Sequence, residues 1–408
     1  MSIFPSDWDV VGAESFCSSV RDGTHDSPKF VEQGYPLVTS KNIKGGSIDL
    51  STAALISIAD FDEINRRSKV DQWDVLFSMI GTVGEVCLVD TSTVEFAIKN
   101  VGLFKCDNED DGRWLSLWLR SPAAKSYVSE QLRGASQQYI PLGELRKLPV
   151  PVPKDKSERM RITSALTAYD DLIATNQRRI ALLEDAARRL YREWFVHLRF
   201  PGHESVPVKD GVPEGWAKLP LADVAEITMG QSPESKYYNT DGDGLPFHQG
   251  VSDFGHRFVT HETHTKQATR IAEVGDILCS VRAPVGRLNV TRDKIAIGRG
   301  LSAMRSRAGH QSLLFYQLDA LFVEEDMIGG GAIFASVGKK ELFGQLVLQP
   351  SSSIATTFNR LAADIDAQIE NLDSQNQELT KARDLLLPKL MSGQLDVSGI
   401  ALPDEVAA

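Results

Sequence analysis

The chain has 408 residues, 42% of them hydrophobic and 24% charged, and a formal net charge of −11. That composition is globular, the length calls for two or three domains, and no apolar run approaches the roughly 18 residues that a membrane span needs. The acidic balance, taken alone, argues against a nucleic-acid binder, whose phosphate contacts need Lys and Arg.

The N-terminal stretch Met1–Trp8 has neither the basic nor the apolar region of a signal peptide, so none is expected. Cys17, Cys87, Cys106 and Cys279 are scattered with no CxxC pair. They read as buried thiols of a reducing cytoplasmic protein rather than as disulfides or a zinc site.

In chain order, a first unit opens at Pro5-Ser6-Asp7-Trp8 and a second at Pro213-Glu214-Gly215-Trp216. Within the first, Asp74–Gly84 alternates as a strand does, ends in a Gly turn and leads to a short strand at Glu85–Val89. Its partner in the second is Asp276–Gly286, followed by Arg287–Val290. A helix is expected over Asp111–Leu132. Gly134–Ile140 then parallels Gly331–Val337, and Glu144–Pro153 parallels Glu341–Pro350. The offset between partners shrinks along the chain, as loop insertions in two otherwise similar folds require. Each unit reads as a compact mixed α/β domain with a twisted, largely antiparallel sheet.

Each unit runs into a heptad helix. In the first, Ile162, Leu166, Tyr169, Ile173, Asn176, Ile180, Leu183, Ala187, Leu190 and Trp194 alternate spacings of four and three. In the second, Phe358, Ala362, Ile365, Ile369, Leu372, Asn376, Leu379, Arg383, Leu386 and Leu390 do the same. Neither helix is stable alone, and antiparallel pairing with each other is the economical solution. Asn176 and Asn376 interrupt the seams, either as tolerated polar residues or as register keys. Pro388 ends or kinks the second helix unless it falls near the last turn, and Gly393 is a plausible terminator. The fold class expected is α+β: two similar mixed α/β domains alternating with two long helices paired as an antiparallel coiled coil.

These segments, in this order, resemble the specificity subunit of Type I restriction-modification systems. The resemblance covers essentially the whole chain. It is carried further by Asp22-Gly23-Thr24-His25 with Pro28, by Ala168-Tyr169-Asp170-Asp171-Leu172-Ile173 with Asn176, by Arg189–Phe195 and by Leu386–Gly393. It implies target-recognition domains at 1–153 and 201–350 (the latter with a linker), conserved helical regions at 154–200 and 351–395, and a flexible tail at 396–408. It also implies a non-catalytic reader of double-stranded DNA, each domain reading one half of a bipartite target. The helices then serve as a ruler: about 40 residues span roughly 60 Å. Two methyltransferase subunits and restriction (motor) subunits are the implied partners. S-adenosylmethionine, ATP and Mg would belong to those partners, with no cofactor or metal on this chain. In keeping with that division, the sequence holds no G-x-x-x-x-G-K-[ST] segment and no Asn/Asp-Pro-Pro-aromatic segment. The competing reading is a coiled-coil scaffold that binds proteins.

Base reading needs Arg or Lys for guanine and Asn or Gln for adenine. The candidates in the first domain are Thr39, Ser40, Lys41 and Asn42, and the turn Ser136, Gln137, Gln138 and Tyr139. In the second they are Gln249, Arg282, Arg299, Lys339 and Lys340, where Arg282 stands at the position of Ile80. Surface turns, phosphate contacts and ion pairs remain open for each of them. Charge distribution favours the second domain, since Lys266–Arg307 holds nine Lys/Arg against three Asp/Glu.

Other features are discounted. His256, His261 and His264 have no accompanying cysteine for a zinc site. Gly329-Gly330-Gly331 lacks the Lys-Ser/Thr of a phosphate cradle, and Asp241-Gly242-Asp243-Gly244 lacks the glutamate of a calcium loop. Asp74 and Asp276 read as solvated turn carboxylates. Trp194, Phe195, Leu385, Leu386 and Leu390 exceed what a two-helix seam needs, and are expected either to dock the methyltransferase subunits or to pack on the chain's own domains.

Overall fold

A computed structural model describes residues 4–328 and 336–400, with side chains omitted for 323–328. The chain divides into two units. One comprises the residues up to Asn176 together with those from Gln375 onward, and the other comprises Gln177–Ser374. No described helix is long and apolar enough to cross a membrane.

The first unit has a four-stranded antiparallel sheet in the spatial order Ser19–Asp22, Val101–Lys105, Val75–Ser78, Val86–Leu88. The second repeats that order with Ala225–Met229, Leu301–Ser306, Ile277–Ser280 and Leu288–Val290. Each unit adds a second sheet containing one parallel pair, Phe30–Val38 with Ala97–Ile98 and Leu245–His248 with Ile295–Ile297. Each also ties its opening strand to its closing one, Trp8–Gly12 to Pro149–Pro153 and Ala217–Pro220 to Leu346–Gln349. Apolar alternation puts Val75 and Phe77 in the main core of the first unit, and Ile277 and Cys279 in that of the second.

The helix expected over Asp111–Leu132 is two helices, Glu109–Arg120 and Pro122–Glu130. Pro122 has no N–H to continue the first helix, and the Ser121 hydroxyl accepts from Ala124 N at 3.2 Å to start the second. The long helices span Lys156–Tyr191 and Ser352–Met391, and Pro388 is accommodated in the last turn of the latter. Every seam residue of both helices is buried or half-buried.

Within the first unit, buried Asn176 donates Nδ2–H to Asn376 Oδ1 at 3.0 Å. Asp170 accepts from Arg120 at 2.6 and 3.3 Å and from Arg383 at 2.7 Å. Burial pushes the Asp170 carboxyl upward, but the two guanidiniums outweigh it and hold the group below its ordinary value. Within the second unit, Ile180 packs with Ile369 and Leu372.

Three expectations are corrected. Asp74 and Asp276 are buried, not solvated. Asp74 accepts from Lys105 Nζ and Asp71 N at 2.6 and 2.7 Å, and Asp276 accepts from Arg305 Nε and Glu273 N at 2.8 Å each. Burial raises both carboxyls. Of the apolar residues at the helix ends, Trp194 and Phe195 pack in the second unit's own core, Leu390 and half-buried Leu386 pack in the first's, and Leu385 is exposed. The tail is ordered at its start. Val397 is buried and Arg161 Nε donates to Ile400 O at 2.9 Å, while residues 401–408 lie outside the described ones. All four cysteines are buried free thiols, and burial pushes Cys87 up to about 12.

Candidate nucleic-acid interface

The candidate reading edge is built on a serine-locked turn that occurs once in each unit. Ser78 Oγ donates to Thr82 O at 2.5 Å and accepts from Glu85 N at 2.8 Å. Ser280 Oγ donates to Pro284 O at 2.6 Å and accepts from Arg287 N at 2.8 Å. Gly84 and Gly286, at φ 103° and 81°, close the turns in a backbone region that side chains disfavour. The residue two beyond the serine is Ile80 in one copy and Arg282 in the other.

A second segment docks on each turn. Ile140 N donates to Met79 O at 3.0 Å and Gly81 N to Gln138 O at 3.0 Å. In the second unit, Val337 N donates to Val281 O at 2.9 Å, and Arg282 bridges to Ser336 as Ile80 does to Tyr139. The hairpin carrying Ser136, Gln137 and Gln138 is closed by reciprocal Arg133–Tyr139 bonds of 2.8 and 2.9 Å. All four candidates on it are exposed, Tyr139 by 41%. Residues 329–335, with the whole Gly329-Gly330-Gly331 run, lie outside the described residues.

The parallel pairs align two further candidates. Lys99 N donates to Val38 O at 2.9 Å, and Gly298 N donates to His248 O at 2.8 Å. Thr39 and Gln249, each the first residue past its strand, therefore hold equivalent places. Thr39 starts a short 3-10 turn over Ser40–Asn42. Asn42 is buried there: its Oδ1 accepts from Thr39 N and Oγ1 at 2.9 Å each, and its Nδ2 donates to Asp49 O at 3.2 Å. Its amide is engaged in holding the turn, so Asn42 is corrected from a reader to a positioning residue. Lys41 is exposed, and Thr39 and Ser40 are half-buried.

In the second unit the candidates converge. Ser232 Oγ donates to Gln249 Oε1 at 2.7 Å and accepts from Arg299 N at 3.1 Å. Gly300 N donates to Gln249 O at 3.1 Å, and Gly300 O accepts from Val281 N at 2.9 Å. Gln249, Arg299 and Arg282 thus lie along one continuous backbone seam. Glycine is required at 300, where an added Cβ would stand 2.5 Å from Gln249 O, and at 298 it leaves room for the Gln249 side chain, whose Oε1 would lie 2.7 Å from a Cβ. Lys339 and Lys340 are exposed at the start of the helix Lys339–Gly344, with Lys339 Nζ 5.1 Å from the Phe343 ring centroid.

Charge sorts the basic stretch. Lys266 pairs with Asp243, Arg292 with Asp373, Lys294 with Glu273, Arg305 with Asp276 and Arg307 with Glu226. Arg270, Arg282, Arg287 and Arg299 are exposed and form no ion pair among the described residues. Arg270 O accepts from Ile297 N at 3.0 Å and Arg287 O from Ser280 N at 2.9 Å, so all four arginines belong to the same seam. Sequence reasoning missed Arg270, Arg287 and Ser232. The excess of Lys and Arg in that stretch pointed to the arginines, whereas Ser232 is joined to its partners only by the fold.

The histidines form a separate chain. His248 Nδ1 lies 3.0 Å from Asp253, His248 Nε2 lies 2.9 Å from His261 Nδ1, and His261 Nε2 lies 3.0 Å from Asp293. His256 stands apart, 3.5 Å from Glu184. Burial holds His248 below its ordinary value. Among the described residues no group of three or more His, Cys, Asp or Glu is arranged to hold a metal. Asp241–Gly244 is an exposed turn.

Comparison with known proteins follows this geometry. Residues 5–185 match the model of the Type I restriction modification DNA specificity domain. A Methanocaldococcus jannaschii protein assigned as the type I restriction enzyme MjaX specificity subunit is 28% identical, over 96% of this chain and 95% of its own length. The MjaIX specificity subunit of the same organism is 21% identical over 70% of this chain and 69% of its own length. The crystal structure of a Type I restriction-modification S subunit from M. genitalium has a similar fold. It aligns at TM-score 0.57 and 14% identity, over 96% of this chain and 99% of that one. By the matched model and by these relatives, the chain is similar to the specificity subunits of Type I restriction-modification systems.

Proposed function

We propose that each unit reads one half of a bipartite double-stranded DNA target, with the two long helices as the spacer between the half-sites. As a specificity subunit the chain is the non-catalytic member of its assembly. Two methyltransferase subunits, carrying S-adenosylmethionine, and restriction subunits, carrying ATP and Mg, are its proposed partners, and the cytoplasm its proposed place of action. The observation that carries the reading is the seam of four exposed arginines beside Gln249, which form no ion pair among the described residues, on a framework that the other unit repeats. Uncompensated guanidiniums on a rigid edge suit phosphate oxygens and guanine edges. Thr39, Ser40, Lys41, Ser136, Gln137, Gln138 and Tyr139 are the proposed contacts of the first unit, and Gln249, Arg282, Arg299, Lys339 and Lys340 those of the second.

The helices are proposed to pair as an antiparallel coiled coil. Asp170 meets Arg383, Asn176 meets Asn376 and Ile180 meets Ile369 and Leu372, so one helix descends in number as the other rises. A protein-binding scaffold is not favoured: nothing in that role calls for two copies of a locked turn that differ by an Ile and an exposed Arg.

The test is adenine-methylation mapping in cells carrying this chain with its cognate methyltransferase, against the methyltransferase alone. Methylation at a gapped motif only when the chain is present is the expected result. Unchanged methylation, with the complex shown to assemble, would sink the reading.

A further inference from the structure

We infer that the half-site read by the second unit carries guanine at the base pairs facing Arg282 and Arg299. This inference rests on the DNA-reading role proposed above and deepens it.

The argument is one of hydrogen-bond polarity. Arginine donates and cannot accept. Arg282 and Arg299 are exposed, form no ion pair among the described residues, and flank Gln249 on one seam. Gln249 is biased the same way. Ser232 Oγ accepts from Arg299 N, its hydroxyl hydrogen goes to Gln249 Oε1 at 2.7 Å, and the Nε2 donors of this exposed amide form no hydrogen bond among the described residues. That bond occupies one of the oxygen's two lone pairs and fixes its direction, which weakens the two-point recognition of adenine that a free glutamine offers. Gln231, next in the chain and exposed, is a neighbouring amide with both polarities.

A donor-rich edge selects acceptors. In the major groove guanine offers two, N7 and O6, whereas adenine pairs its N7 with a donor and cytosine presents a donor only. The first unit lacks such an array. Ile80 replaces Arg282, and Thr39 replaces Gln249 with its hydroxyl spent on Asn42 at 2.9 Å. Lys99 Nζ donates to Ser27 Oγ at 2.6 Å, and Asn100 Oδ1 lies 2.7 Å from His25 Nδ1. One framework thus presents two opposed faces, and the guanine requirement belongs to the second.

The experiment uses the complex of the full chain with its methyltransferase on a DNA library randomised across the target. Wild type, Arg282→Ala and Arg299→Ala are compared, and wild type is also assayed on DNA with 7-deazaguanine at each guanine of the motif. The expected result is a guanine in one half-site whose preference falls about 10- to 100-fold in one or both variants, the other half unchanged. Substitution by 7-deazaguanine at that position should reduce wild-type methylation by a similar factor, whether or not the variants fold. Uniform loss across all sequences with an unchanged motif, or a motif in which neither half requires guanine, would overturn the inference while leaving DNA reading intact. Absence of any gapped motif would remove the DNA reading itself, and this inference with it.

Discussion

Asp170→Asn removes a charge held between two arginines without changing the size of the side chain. The carboxylate accepts from Arg120 at 2.6 and 3.3 Å and from Arg383 at 2.7 Å. Asparagine keeps one acceptor and turns an NH2 toward a guanidinium. Arg120 and Arg383, with side chains 25% and 20% exposed, are left facing each other. A charge-assisted bond contributes about 1.5–3 kcal/mol. With partial solvent screening of both arginines, the expected loss is about 2–4 kcal/mol. For a unit of some two hundred residues that lowers the midpoint by roughly 4–16 °C. Calorimetry should show the loss in one transition, that of the unit containing Asp170. The pH dependence follows with a definite sign. The folded carboxyl lies below the ordinary value of 3.8, so its contribution is complete above that value and disappears as pH falls through the folded one. The gap between wild type and variant should therefore close below about pH 4. A loss under about 0.5 kcal/mol at pH 7 would refute the idea that this triad braces the helices.

Further expectations concern the buried polar groups and the basic seam. Asn176→Leu should cost about 1–3 kcal/mol by taking the donor from Asn376 Oδ1, whose Nδ2 keeps Ile173 O. Adding Asn376→Leu should restore stability while loosening the register, read as multiple products when cysteines are placed along the helices and cross-linked. Lys105→Met should destabilise the first unit by about 2–4 kcal/mol at pH 7, because Asp74 is left buried and uncompensated. Burial already raises that carboxyl, so the penalty applies above its folded pKa and is relieved as pH falls through it; a series of urea titrations from pH 7 downward should show the gap to wild type narrowing. Arg270→Ala should lower the salt dependence of DNA binding by the assembled complex by about one ion, with no change of motif. A changed motif would make Arg270 a base reader instead.

The duplicated scaffold was legible because each copy writes the same local physics. Alternating apolar residues lead into a glycine turn at Ser78–Gly84 and again at Ser280–Gly286, and the heptads state their buried face outright. The candidate edge was legible where charge density marks it, at Arg282 and Arg299. What escaped depends on contacts distant in the chain. Ser232 reaches Gln249 and Arg299 only after three segments fold together. Asp74 and Asp276 follow a turn, the usual place of a solvated carboxylate, and only the cation on a neighbouring strand, Lys105 or Arg305, shows that they are buried. Asn42 resembles a free amide until the loop closes over it. The helix break at Pro122 was in plain view, but the apolar pattern running through it concealed the join.

Asp74 with Lys105, and Asp276 with Arg305, occupy matching places in the two sheets, each a buried carboxylate paired with a cation from the neighbouring strand. The chain therefore carries its own control. Wherever the copies agree, as at these pairs and at the serines that lock the turns, the residue answers to folding, and altering it should damage either half alike. Where they disagree, as Ile80 does with Arg282 and Thr39 with Gln249, folding is indifferent and the difference is free to encode a message. Comparing the molecule with itself separates its grammar from its vocabulary, and marks the few positions where a new target could be written without disturbing the page.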